Sequence, residues 1–181
     1  MNETPTLLTL EPTTPRGPCR RGRKILPPAF TITARIAMLV REPGTELPPT
    51  VRTPQDVHRI FCDMTDFAQE SFQIATINKK NRLIQRHMIT LGVLDASLIH
   101  QREVFRAAIL DSCSALVLVH NHPSGDPAPS AEDLAITRQM VASGRIIGIR
   151  VLDHIIIGRP TEGRPGFFSI REAGLIDFEL N

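Results

Sequence analysis

The sequence predicts an α/β fold, a single domain preceded by a disordered tail. Helix-like and strand-like patterns alternate from about residue 52 onward, which points to a sheet with helices packed on it. Ala115 to Val119 is a continuous apolar run of strand length, as in a strand buried on both faces. Residues 1–28 hold six of the 15 prolines and cannot propagate a helix or strand for long.

Taken in order, residues 1–28 are expected to be a proline-rich basic tail. Its cluster Cys19-Arg20-Arg21-Gly22-Arg23-Lys24 is either a plain solvated run or a contact for nucleic acid or an acidic partner. Residues 30–51 are expected to hold a strand over 30–40 and a proline-rich linker over 43–50. Thr53-Pro54-Gln55-Asp56 has the form of a helix start, with Thr as N-cap, Pro in the first turn and Asp three residues after the cap. That helix is expected to reach about Asp66. Ser71–Asn78 and Arg82–Leu91 are expected strands, joined by the polar turn Asn78-Lys79-Lys80-Asn81.

A helix fits Arg102–Ser112, with Val104, Phe105, Ala108 and Ile109 spaced for one buried face. Ser114–His120 is a buried strand that ends in a histidine. Residues 121–129 form a loop with three prolines and a glycine, and a helix is expected from Ser130 to about Arg145. Ile149–Gly158 is a further strand, and Ser169–Ala173 a short helix.

Composition narrows the function. The net charge of +2 lacks the bulk positive field of a nucleic-acid binder. Cys19, Cys62 and Cys113 lie far apart with no C-x-x-C pair, which suits a reducing cytoplasm and argues against a thiolate zinc site or a thioredoxin-like motif. The N-terminus has no apolar signal core, and no apolar stretch approaches a membrane span, so a soluble cytoplasmic protein is expected.

The informative segment runs from His120-Asn121-His122-Pro123 to Ser130-Ala131-Glu132-Asp133. In an extended backbone, residues two apart point to the same side, so His120 and His122 can converge on one ion. The next helix offers Asp133 in its first turn. Two imidazole nitrogens and one carboxylate oxygen suit Zn²⁺ and leave a fourth position for water, the pattern of a catalytic zinc site. Ser130-x-x-Asp133 is also an ordinary helix cap. The conjunction with His-x-His at this spacing is what favours a metal site. One zinc per chain is expected, because one ligand set is visible.

H-x-H, seven residues, then S-x-x-D resembles the signature of JAB/MPN metallopeptidases. The stretches HNHPSGDPAPSAEDLAIT (120–137), GIRVLDHIIIG (148–158), LGVLDASLIHQREVFRAAI (91–109) and FFSIREAGLI (167–176) are similar to the RadC-like branch of that family. The resemblance covers about residues 52–180, so 52–181 is expected to be a RadC-like JAB/MPN domain. It implies a curved mixed sheet flanked by helices, a closing helix near the C-terminus, and zinc held by His120, His122 and Asp133. It also implies that Ser130 supports the developing oxyanion and that an upstream glutamate acts as general acid and base.

Glu70, before the strand at Ser71, is the expected glutamate. Glu103 is the rival, though at a helix start it suits a cap or ion-pair role. Glu132 adjoins Asp133, but its helical position is expected to point it elsewhere. Asp153-His154 either orients a zinc ligand or is a satisfied core pair. Cys113 is expected to pack in the core, and His58, His87 and His100 have no partners at ligand spacing.

The chain departs from the family pattern in two places. Its first fifty residues lack the glycine-bearing hairpins of the helix-hairpin-helix module usual there, and Gln101 stands where a proline is common. The resemblance implies a zinc-dependent hydrolase of peptide or isopeptide bonds, with a peptide or protein substrate. Two alternatives stay open: a nucleic-acid-associated protein of DNA repair or mobile elements using the same domain, and a zinc scaffold without turnover. A zinc deaminase is disfavoured because the P-C-x-x-C ligand pair is missing.

Overall fold

The structure is a computed structural model in which residues 47–92 and 99–179 are described. The expected tail over 1–28 and strand over 30–40 lie outside the described residues. Five strands form one mixed sheet in the order β2-β1-β3-β4-β5. They are β1 (Ser71–Ile77), β2 (Leu83–Leu91), β3 (Ala115–Asn121), β4 (Arg150–Ile157) and β5 (Phe167–Ser169). The helices are α1 (Pro54–Ile60), α2 (Gln101–Leu110) and α3 (Ala131–Ile147). Strands β3 and β4 are parallel and joined through α3; the other neighbouring pairs are antiparallel. No helix among the described residues is long and apolar enough to cross a membrane.

The sheet is covered on both faces. Phe72 and Ile74 of β1, Leu116 and Leu118 of β3, and Ile156 of β4 pack with Val104, Phe105, Ile136 and Met140 of α2 and α3. Ala75, Ile77, Val117, Val119, Ile155 and Ile157 pack on the other face with Val57, Phe61 and Met64. Burial on both faces explains why β1 and β3 carry no exposed residue and why the run 115–119 is continuously apolar. Alternation within each strand divides these residues between the two clusters.

One irregularity decides what faces the candidate site. Leu116 lies opposite Val151, but Leu118 lies opposite His154, so β4 carries one extra residue against β3. Such a bulge shifts the side-chain phase of everything after it. His154 therefore joins Val151 on the α3 face, where strict alternation from Val151 would have placed Asp153.

Four expectations are corrected. The helix starting at Thr53 stops at Ile60, and a single 3₁₀ segment, Cys62–Asp66, follows. Arg86 takes the Ile60 carbonyl at 2.8 Å, the acceptor a continuing helix would have used, and its guanidinium lies over the Phe61 ring. The linker is docked at its end: Thr50 bridges to Arg82, the Arg82 guanidinium donates to the Pro48 carbonyl, and Val51 is buried, so the folded unit begins before residue 52. Ile109 is 57% exposed, since it falls in the last turn of α2 beyond the stripe Val104–Phe105–Ala108. Residues 169–173 form β5 and a single turn in place of a helix. The N–H groups of Ile170 and Arg171 tie the segment to β4 through the His154 carbonyl and the Asp153 carboxylate, and the bonds that follow, from Ala173 to Ser169, Gly174 to Arg171 and Leu175 to Ile170, differ in span and make a turn.

The other boundaries agree closely. Thr53 and Asp56 form a reciprocal capping box on α1. Cys113 is buried in the core beside α2, and burial, above all, pushes its thiol up, so it is a packing residue and a poor nucleophile.

Candidate metal centre

The site is assembled where β3 runs out against the start of α3. His120 is the last buried histidine of β3, stacked on Phe72 of the neighbouring strand with ring centroids 6.4 Å apart. His122 lies two residues on, just past the strand, its backbone N–H still bonded to the Ile157 carbonyl of β4. The i, i+2 relation brings the two Nε2 atoms to 2.9 Å.

The connecting loop is held by close backbone approach. Gly125 has φ +87° and its carbonyl accepts from Arg159 N–H, while Gly158 lies directly under it. A Cβ on Gly158 would stand 2.4 Å from the Gly125 carbonyl oxygen, so only glycine fits there.

The loop ends at Ser130, which caps α3. Its hydroxyl accepts from the Asp133 N–H at 3.1 Å and donates to Asp133 Oδ2 at 2.8 Å, while the Ser130 N–H donates to the same Oδ2 at 2.7 Å. With Oδ2 held by the cap, Oδ1 is turned inward to 3.1 Å from His120 Nε2. The capping role and the candidate ligand role are thus filled by one carboxylate. His122 Nε2 stands 3.5 Å from Oδ2.

These separations fit a tetrahedral zinc site. Ligand atoms about 2.0–2.1 Å from one tetrahedral ion stand roughly 3.3 Å from each other; the two Nε2 atoms are 2.9 Å apart, His120 Nε2 is 3.1 Å from Oδ1, and one atom from each of the three residues lies within 4.8 Å of the others. The donor chemistry fits as well. His122 Nδ1 faces the Asp126 carbonyl oxygen at 2.7 Å, and a carbonyl can only accept, so the Nδ1 proton is placed there. A neutral His122 then presents the Nε2 lone pair to the centre. Among the described residues, His120, His122 and Asp133 form the only His/Cys/Asp/Glu group whose atoms converge in this way.

Electrostatics agrees with a cation-seeking centre. Burial works to raise the Asp133 carboxyl, but the His120 and His122 imidazoles facing it hold it far below the usual carboxylate range. The facing Asp133 carboxylate, above all, raises His122, with the Glu70 charge adding to it. Burial in an apolar setting drives His154 well down.

Glu70 lies at the entrance to β1 and lines an open cleft of about 370 Å³ with His122, Ser124, Ser130, Glu132 and Asp133. Glu103 lies elsewhere, exposed in the first turn of α2 beside Arg102. Glu132 borders the cleft, against expectation, because the cleft opens at the α3 N-terminus and the residues around its first turn reach the rim. Of the remaining histidines, His87 pairs with Asp111 at 2.6 Å and His58 packs on Phe167, both remote from the centre.

Three contributors are not evident from the ligand spacing. Asn121, between the two histidines, accepts from Ser71 N–H at 2.9 Å and donates to the Gln69 carbonyl at 3.1 Å. It thereby holds the residues on either side of Glu70. His154 Nε2 stands 2.8 Å from His120 Nδ1, and Thr137 Oγ1 stands 2.6 Å from His154 Nδ1. Asp153 goes the other way: it accepts from Ser169 Oγ and Arg171 N–H, tying β4 to β5, and burial raises its carboxyl. Of the pair Asp153-His154, only His154 touches a candidate ligand. Asn and Thr are common enough as turn and helix residues that no sequence signal distinguished Asn121 or Thr137.

Comparison with known proteins places this geometry. The profile of the RadC-like JAB domain matches residues 51–175. A UPF0758 protein of Caldanaerobacter subterraneus subsp. tengcongensis is 46% identical over 131 residues, covering 72% of this chain and 54% of its own length. A UPF0758 protein of Methanosarcina barkeri is 38% identical over 148 residues, covering 81% and 61%. One from Desulforudis audaxviator is 46% identical over 131 residues, covering 72% and 55%. The chain thus spans little more than half the length of these curated relatives. The matched span begins at Val51, the first core residue of the folded unit, and ends beyond β5, so the whole described sheet and the convergent histidines lie within it: the chain belongs to the RadC-like JAB domain family.

Proposed function

We propose that this chain is a zinc-dependent hydrolase of peptide or isopeptide bonds. The observation that carries this reading is the convergence of His120, His122 and Asp133 beside a cleft that His122 and Asp133 line together with Glu70 and Ser130. His120, His122 and Asp133 would hold one zinc ion. Zinc bound there supplies a Lewis acid that polarises the scissile carbonyl and acidifies a water.

The other steps belong to the chain. Glu70 accepts the proton of the attacking water and delivers it to the leaving amine, as general base and then general acid. The backbone on either side of Glu70 is held at the cleft by the Asn121 bonds to Gln69 and Ser71. The Ser130 hydroxyl, whose proton rests on Asp133 Oδ2, would support the charge that develops on the carbonyl oxygen by turning that proton towards it.

The test is metal analysis combined with turnover on a panel of peptides and isopeptide-linked proteins. The expected result is about one zinc per chain, with zinc-dependent cleavage that a chelator abolishes. Zinc bound at full occupancy with no cleavage across the panel would favour a zinc scaffold instead. A chain that takes up no zinc would reject the reading altogether.

A further inference from the structure

We propose that Thr137 and His154 form a directional hydrogen-bond relay that fixes the tautomer of His120, so that its Nε2 lone pair faces the metal position. The inference rests on the zinc site proposed above. It follows from proton accounting along four groups.

The Thr137 Oγ1 atom lies 2.6 Å from the Asp133 backbone carbonyl. A carbonyl has no proton, so the threonine must spend its single O–H there. Thr137 Oγ1 also lies 2.6 Å from His154 Nδ1. With its proton already committed, the hydroxyl can only accept, and His154 Nδ1 must carry the proton between them. His154 is fully buried, and its two ring nitrogens touch only Thr137 and His120. A buried imidazolium with no carboxylate in contact is costly, so the ring is neutral. Its Nε2 is then an acceptor. His120 Nδ1, 2.8 Å away, must donate to it. For the neutral His120 that a metal ligand must be, one tautomer then remains, with Nδ1 protonated and Nε2 open towards His122 Nε2 and Asp133 Oδ1.

The relay closes on itself. It starts at the carbonyl of Asp133 and ends at the atom of His120 that faces the Asp133 carboxylate. Thr137 lies one turn after Asp133 on α3, and the β4 bulge brings His154 between that helix and β3. His154 is therefore a positioning residue for a metal ligand. Partners of this kind typically change metal affinity by about 10- to 100-fold when removed.

The experiment uses the full chain loaded with zinc. Long-range proton–nitrogen NMR of the histidine rings reads the tautomer of His154, which zinc does not touch. The expected state is neutral with the proton on Nδ1. Zinc affinity is read by competition with a chromophoric chelator. His154→Leu and Thr137→Val should each weaken it by about 10- to 100-fold. His154→Gln should remain within a few fold of wild type, because the amide oxygen can accept from His120 Nδ1. Thr137→Ser should restore what Thr137→Val loses. If His154→Leu does not fold, the threonine pair and the wild-type spectrum decide the matter. A His154 proton on Nε2 in the zinc-loaded wild type overturns the relay and leaves the metal site standing. Unchanged affinity in a folded Thr137→Val protein also overturns it. A wild-type chain that takes up no zinc overturns both the site and the relay.

Discussion

The N-termini of α1 and α3 carry the same local motif with different consequences. Thr53-Pro-Gln-Asp56 and Ser130-Ala-Glu-Asp133 both form reciprocal capping boxes, with an aspartate three residues after the cap. In α1, both useful bonds of Asp56 stay local: Oδ2 accepts from Arg52 and Thr53 N–H, and the side chain is 24% exposed. In α3, one oxygen of Asp133 does the capping and the other faces a histidine in a site that leaves the side chain 3% exposed. Identical caps thus differ in role by what the fold puts in front of them. The α1 box faces solvent, whereas the α3 box faces the end of β3.

The strongest way to break that comparison is to make the same change in both boxes. Asp133→Asn should cut zinc content sharply and abolish zinc-dependent turnover, while Asp56→Asn should leave both near wild type. Metal analysis of the purified proteins checks this. Equal zinc in the two variants would mean the α3 box is only a cap.

Next in size is the split between holding metal and moving protons. Glu70→Gln should lower any turnover by at least about 10²-fold while zinc content stays near wild type, since general acid–base groups are typically worth about 10²–10⁴. Glu103→Gln, remote from the cleft, is the control and should retain most turnover. An inactive Glu103→Gln with zinc bound, beside an active Glu70→Gln, would reverse the assignment.

A third test sharpens the role of the β3 end. Asn121→Ala leaves the Ser71 N–H and the Gln69 carbonyl without their side-chain partner. Stranding such buried groups costs about 1–3 kcal/mol, readable as a shift in the denaturation midpoint. Turnover should fall as Glu70 loses its brackets, with zinc content unchanged. Loss of zinc in this variant would place Asn121 in the metal site proper.

Smaller effects belong to the α1 box. Thr53→Ala should cost about 1 kcal/mol of stability, the usual worth of an N-cap, with no change in zinc affinity. A zinc effect there would mean the two helix starts communicate. The pH response should be smaller still. The Arg52 backbone hydrogen bond, above all, lowers the Asp56 carboxyl below its ordinary 3.8; burial opposes this and the bonds with Thr53 reinforce it. A carboxyl lowered in the folded state contributes fully above its unfolded value and is lost as pH falls through the folded one. Asp56→Asn should therefore flatten the acid limb of stability below about pH 4, measured by denaturation at a series of pH values.

Much of this protein was written in local pattern. The two capping boxes, the hairpin turn at Asn78–Asn81, the doubly buried β3 and the His-x-His spacing all express short-range geometry, which neighbouring residues dictate almost alone. Such features survive transfer from sequence to structure because cap hydrogen bonds and strand alternation need no distant partner. The helix after Thr53 ended earlier than its pattern because Arg86, twenty-six residues away, took a carbonyl. The expected helix at Ser169 became a strand end and a turn because Ser169 pairs with Ile155 of β4 and the residues after it stay tied to that strand.

By itself, then, the sequence determined the α/β class, the order of elements and the three candidate ligands, since each rests on spacing along one segment. Tertiary structure alone brought glutamates to that cleft: Glu70 meets His122 through the pairing of β1 with β3, and Glu132 reaches the rim from the start of α3. It also decided which residue of Asp153-His154 backs the site. A single bulge in β4 turned His154 towards His120 and left Asp153 to hold β5, and a phase shift of one residue is set by pairing with the neighbouring strand, which no local pattern encodes.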